Sequence, residues 1–233
     1  LEELVASGAS KEILTLHRPH IGTFKLATVV RGLRSRIESL GGEVRFGSRV
    51  DELLLTSATD DKAFRLEGLR LADGQRMACR HLILAPGHSA RDTFLMLERA
   101  GVQLHRKPFS VGVRIEHPQP LIDQARWGEL AGHPRLGAAE YKLVHHAGNG
   151  RCVYSFCMCP GGVVVTTPTR PGELCINGMS HAARAGRYAN SAMVVTVGPE
   201  DFAKLGHHGT FAGVAFQREV EAKAYKAGGG NYV

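Results

Sequence analysis

His81-Leu82-Ile83-Leu84-Ala85-Pro86-Gly87-His88-Ser89-Ala90-Arg91-Asp92 is the stretch on which the reading of the fold turns. The apolar run from Leu82 to Ala85 is too short for a helix and ends at a Pro-Gly breaker. It therefore reads as a buried strand. Beyond the turn, Phe94, Leu95 and Leu97 begin a helix-like pattern that runs from Ala90 to Ala100 and stops at Gly101. Strand, glycine turn and helix together present backbone N–H groups to a nucleotide or phosphate. A plain chain reversal produces the same residues, and on residue chemistry alone it is the preferred reading. Ser89 is then a helix cap, with Arg91 and Asp92 in the exposed first turn.

Upstream, residues 1 to 18 carry a weak helical pattern that Pro19 and Gly22 interrupt. Thr23 is placed to cap the next helix. Leu26, Val29, Val30, Leu33, Ile37 and Leu40 then recur at the helical period, and Gly41-Gly42 ends the helix. Glu43-Val44-Arg45-Phe46 alternates as a strand. Three further strand-like runs follow: Asp51–Leu55, Ala63–Leu71 and Gln75–Leu84. Thr59-Asp60-Asp61 makes the first turn and Asp73-Gly74 the second, the latter a strong hairpin signal. The result is a three-stranded antiparallel meander over about 51–80.

Lys107-Pro108-Phe109 marks a boundary, after which the pattern is mostly β: Ser110–Glu116, Ala138–His145, Arg151–Cys157, Val163–Thr167, Leu174–Asn177 and Ala192–Val197. Short helices are expected over Pro120–Leu130 and from Pro199, where Pro sits at the first position with acids in the first turn. A longer helix is expected over Phe211–Ala227.

With 43% hydrophobic residues in 233, the chain can bury a real core, and disorder is excluded. No apolar run is long enough to cross a bilayer and no signal peptide is present, so a soluble, cytoplasmic protein is expected. The formal charge is +7, but Lys and Arg are scattered without aromatic interleaving, which points to an anionic ligand or a solvated surface before nucleic acid. The five cysteines are read as reduced thiols.

Several segments together carry a resemblance: Pro19–Thr23, Leu84–Phe94, Lys107–Pro118, Tyr154–Gly162, Asn177–Ser180 and Gly228–Tyr232. In this order they resemble a family of bacterial FAD-dependent dehydrogenases, flavoproteins related to glutathione reductase. The resemblance implies an α/β (α+β) fold. Residues 1–104 would form a partial three-layer FAD-binding domain with the meander, and 105–233 a mixed antiparallel substrate or cap domain. It implies FAD as cofactor and an unknown small-molecule substrate. Val50, Ala85, Pro86, Gly87, His88 and Ser89 would contact the dinucleotide, and Gly161 and Gly162 would lie near the flavin ring. The fingerprint G-x-G-x-x-G, whose glycines let a pyrophosphate reach a helix N-terminus, follows no strand here. The chain therefore looks like a fragment, with both ends of the FAD site lacking, that binds FAD poorly by itself. Oligomeric state and catalytic residues are not legible.

Among chemically interesting residues, Arg114 alternates with Val113 and Ile115. Its guanidinium could hold an anionic substrate in two-pronged fashion, although a solvent-facing strand explains it as well. Cys157 and Cys159, two apart in a strand, would share a face. Core packing outweighs redox exchange there, and no metal site has the required spacing. Two other classes of function stay open: a non-catalytic binding module, and an RNA- or tRNA-associated flavoprotein segment.

Overall fold

A computed structural model describes residues 1–17, 19–57 and 64–232. Helices and antiparallel sheets are both present, as the mixed α/β reading expected. The chain forms two compact units, one from Leu1–Gly42 with Arg106–Val233, the other from Glu43–His105.

The smaller unit is the meander. β1 (Val50–Ser57), β2 (Phe64–Leu71) and β3 (Arg76–Ala78) pair antiparallel in that order. The Asp73-Gly74 turn behaves as expected: Gly74 has φ 89°, and Asp73 Oδ1 accepts from the Gln75 amide at 2.9 Å. The Thr59-Asp60-Asp61 turn lies outside the described residues. The helix α3 (Arg91–Arg99) buries Leu97.

Two expected strands are absent from this unit. Residues 43–46 and 81–87 are irregular, and Ile83 is 93% exposed. A short apolar run becomes a buried strand only when a neighbouring strand pairs its amides. Among the described residues none pairs with Leu82–Ala85. The cap of α3 also differs. Its N-cap is Ala90, with no side-chain cap, so Ser89 does not play that part.

The larger unit is built on a four-stranded antiparallel sheet, ordered β4-β9-β6-β5: β4 (Phe109–Pro118), β5 (Val144–His146), β6 (Cys152–Cys159) and β9 (Tyr188–Val197). β7 (Gly162–Thr166) and β8 (Ile176–Ser180) form a separate hairpin. Registry puts Phe109, Val111, Val195 and Val197 on one face. There they pack against Phe202 of α5 (Pro199–Lys204) and Phe216 of α6 (Ala212–Ala227). Phe202 is fully buried and stacks on Phe109 at 5.4 Å between ring centroids. The start of α5 is fixed by Asp201, whose Oδ2 accepts from the Gly198 amide at 3.0 Å while Arg151 pairs with the same carboxylate. α4 (Gln119–Trp127) follows β4 directly.

The N-terminal residues complete this unit. α1 (Glu2–Ala6) and a 3-10 turn (Lys11–Leu14) pack Ile13 against Val29 of α2 (Thr23–Ser39), which is fully buried. Gly22, not Thr23, is the N-cap of α2, because its φ of 88° suits glycine and brings its backbone against Ala182. Phe24 stacks on His181 at 4.7 Å, and His20 meets Ser180 at 3.4 Å. Leu33 packs beside the Ile13–Val29 cluster, while Leu26, Val30, Ile37 and the cap residue Leu40 of the α2 stripe are 45%, 54%, 48% and 78% exposed.

Candidate functional site

Sheet registry places Ser110, Gly112 and Arg114 of β4 on the face opposite the Phe202 core, beside Thr196, Val194 and Ala192 of β9 and Tyr154 and Phe156 of β6. This face carries polar groups. The Tyr154 hydroxyl meets Ser110 Oγ in a short contact and Thr196 Oγ1 at 3.3 Å. These hydrogen bonds, Ser110 first and then Thr196, pull the Tyr154 phenol below its usual range.

Arg114 sits half-buried at the other end of the face. Nη1 donates to Asn190 Oδ1 at 2.6 Å and to the Cys157 carbonyl at 3.2 Å, and Nη2 donates to Asn177 Oδ1 at 3.5 Å. Gly178 is required for this arrangement, since a Cβ there would lie 2.2 Å from Arg114 Nη1 and 2.3 Å from Asn190 Oδ1. The guanidinium thus ties β4, β6, β8 and β9 together before it does anything else. A guanidinium has five N–H donors, so others are left for a ligand oxyanion. Asn190 is fully buried, and its Nδ2 has no hydrogen-bond acceptor among the described residues.

The cysteines do not form the pair that strand alternation predicts. Cys157 has φ 49° and the β6–β9 register slips between Phe156 and Cys159. This bulge leaves Cys157 exposed and Cys159 buried. Burial, and next the neighbouring Cys157, push the Cys159 thiol up. Among the described residues no group of three His, Cys, Asp or Glu is placed to hold a metal ion.

Gly161, in the turn after β6, and Gly162, the first residue of β7, are both buried. A Cβ at 161 would stand 2.1 Å from the Arg184 carbonyl oxygen, and one at 162 would stand 2.5 Å from that of Met179. Close approach of the chain to itself therefore accounts for both glycines. The turn is held by Gln119, a residue that periodicity does not single out. Its Oε1 accepts from the Gly161 amide at 2.8 Å, and its Nε2 donates to Asp123 at 2.8 Å and to the Ala139 carbonyl at 3.1 Å. Its own amide donates to the Arg187 carbonyl at 2.9 Å. Beside this hub lies a cavity of about 570 Å³ whose lining includes Pro118, Pro134, Arg184, Arg187 and Tyr188.

The remaining predicted contacts belong to the smaller unit. Val50 opens β1 opposite Leu71, and residues 85–89 form the exposed approach to α3. Asp92 lies in the first turn of that helix.

Residues 108–233 match a family described as "FAD-dependent protein, C-terminal domain-like". The chain belongs to this family. An uncharacterized protein of Clostridium beijerinckii is 46% identical over 233 residues, which is all of this chain and 42% of that relative. The chain thus spans under half the length of the relative it matches.

Membership associates the chain with FAD, and the residues present can be tested against that ligand. All strand pairs among the described residues are antiparallel. No parallel strand–helix–strand unit is therefore available to aim a helix N-terminus at a pyrophosphate. The helix after Pro86-Gly87 opens with Arg91 and Asp92, whose opposite charges offset in its first turn. The described residues do not build a complete dinucleotide site. No helix among them is long and apolar enough to cross a membrane.

Proposed function

We propose that this chain is the middle portion of a longer FAD-dependent oxidoreductase of the glutathione-reductase-like superfamily, acting in the cytoplasm on a small molecule. Family membership carries this reading. In it, Val50 and the Ala85, Pro86, Gly87, His88 and Ser89 segment form one wall for the dinucleotide. The wall needs further protein to close it, in keeping with the irregular, exposed state of 81–87. Gly161 and Gly162 act indirectly, by letting the turn after β6 pack tightly enough to support the sheet. Residues from Phe109 onward supply the substrate-facing domain, and its polar sheet face is the surface that would receive substrate.

Flavin, when bound, would carry the electrons. The chain's own residues would orient and polarise the substrate. Arg114, braced by Asn190 and Asn177, is fixed well enough to hold a carboxylate. Tyr154, made more acidic by Ser110, is suited to donate a hydrogen bond or proton to a substrate oxygen.

Flavin absorbance separates the parts of this proposal. A polypeptide of the relative's full length should purify with close to one flavin per chain, and residues 1–233 alone with little. Stoichiometric flavin in the short chain would overturn the idea of a piece. None in the long one would overturn the flavoprotein reading. In the long protein, Arg114→Gln should raise KM for an acidic substrate more than it lowers kcat.

A further inference from the structure

The cavity beside Gln119 is not used by the proposal above, and the loop that forms its floor is unusual. Arg184 is a non-glycine residue with φ 50°, a conformation that costs on the order of 1 kcal/mol or more unless its surroundings enforce it. Here they do. The Arg184 amide donates to the His181 carbonyl at 3.1 Å, and Gly186 donates to Gly161 at 3.2 Å. The Arg187 carbonyl is held by Gln119. Both arginines line the cavity. The strained loop therefore spends stability to hold two guanidinium-bearing residues at one opening.

The lining sets two guanidinium groups, Arg184 and Arg187, against one carboxylate. Asp123 is the carboxylate in the lining, and its Oδ1 already accepts from Gln119 at 2.8 Å and from the Ala139 amide at 2.7 Å. Arg184 Nη1 forms a long ion pair with Glu140 Oε2 at 3.7 Å, which engages one of the five N–H donors that a guanidinium carries. The Arg187 guanidinium carbon lies over the Tyr188 ring at 5.7 Å from its centroid. His133 adds a donor: its Nδ1 accepts from the Arg135 amide at 3.3 Å, so the proton of the neutral ring is on Nε2. Arg184 is also felt at a distance. Burial first, and then its charge, hold the His20 imidazole below its ordinary range. The remaining wall, from Pro118, Pro134 and Tyr188, is apolar or aromatic.

We propose that this cavity binds a small organic oxyanion, a carboxylate or phosphate joined to an apolar group, with Arg184 and Arg187 holding the charged end and the Pro118–Pro134–Tyr188 wall the other. The site stands independently of the flavin reading, because none of these residues is given a contact with dinucleotide or substrate there.

The test uses the whole chain titrated with benzoate and with phenyl phosphate at constant ionic strength, followed by calorimetry and by the unfolding midpoint. Saturable binding of either probe is expected, and their relative affinities tell carboxylate from phosphate. Arg187→Met should weaken binding at least tenfold. Arg184→Asn should do the same while leaving the unfolding midpoint unchanged or raised, because asparagine tolerates a left-handed backbone better than arginine does. Arg80→Gln, an exposed charge in the other unit, should bind like the parent. Absence of saturable binding of both probes would overturn the proposal. So would parent-like binding by folded Arg187→Met and Arg184→Asn, or an equal loss in Arg80→Gln, which would mark diffuse attraction by net charge.

Discussion

Gln119 shows how a single residue can matter without belonging to any motif. It is 5% exposed, and its amide hydrogen bonds join α4, the turn after β6 and the segment after residue 137. Leucine would fill similar space but leave the Gly161 amide and the Ala139 carbonyl without partners. Urea unfolding of Gln119→Leu should show a loss of about 2–3 kcal/mol. The Asp201 carboxyl has its pKa lowered by the Arg151 hydrogen bond first and the Gly198 amide next. Its stabilisation is present above the unfolded carboxyl range and is lost as pH falls through the lower folded value. The parent should therefore lose thermal stability below about pH 4 more steeply than Asp201→Asn, read from unfolding midpoints across pH. Asp201 was legible as a first-turn acid of α5 but its pairing with Arg151 was not, and Gln119 was not legible at all. A polar side chain that will be buried looks the same as one that will face water until the fold decides its neighbours.

At the scale of elements, most of the fold could be read in advance where the pattern was long. α6 and β4 appear close to their expected bounds, and the Asp73-Gly74 turn joins two strands as expected. Their periodicity, or in the hairpin their turn chemistry, holds whatever surrounds them. β9, by contrast, begins four residues early, and β3 is cut to Arg76–Ala78. Leu82–Ala85 has only composition in its favour, and it stays irregular because pairing is a property of two segments. Cys157 and Cys159 fail for a local reason: alternation assumes a regular strand, and a bulge falls between them. Arg114 was visible as a charge, but the role of Gly178 in admitting it was not. The aromatic packing of α5 and α6 on the sheet should dominate the energetics. Phe202→Ala removes a fully buried ring and should cost about 3–5 kcal/mol in chemical denaturation, with the far-ultraviolet spectrum of the folded state retained.

For the whole molecule, the division of the chain is instructive. The compact units meet along the chain near residues 42 and 105, and the first forty-two residues associate with the C-terminal part through Phe24–His181 and His20–Ser180. Contacts across some 160 positions leave no trace in local pattern. The α2 stripe illustrates the converse, a pattern read correctly as amphipathic whose outer half lies bare. Leu26, Val30, Ile37 and Leu40 succeed one another at intervals of four, seven and three, a seam along one side of a rod. Ile37→Lys and Leu40→Lys together should leave the unfolding midpoint within a few degrees of the parent, since Leu40 is largely exposed and Ile37 about half so.

That bare seam has a colloidal consequence. Light scattering from the purified chain should rise with concentration and with added sulfate, which strengthens apolar burial while masking the repulsion of a +7 polypeptide. The doubly lysine-substituted form should remain clear under the same conditions, and equal turbidity in both would place the stickiness elsewhere on the surface.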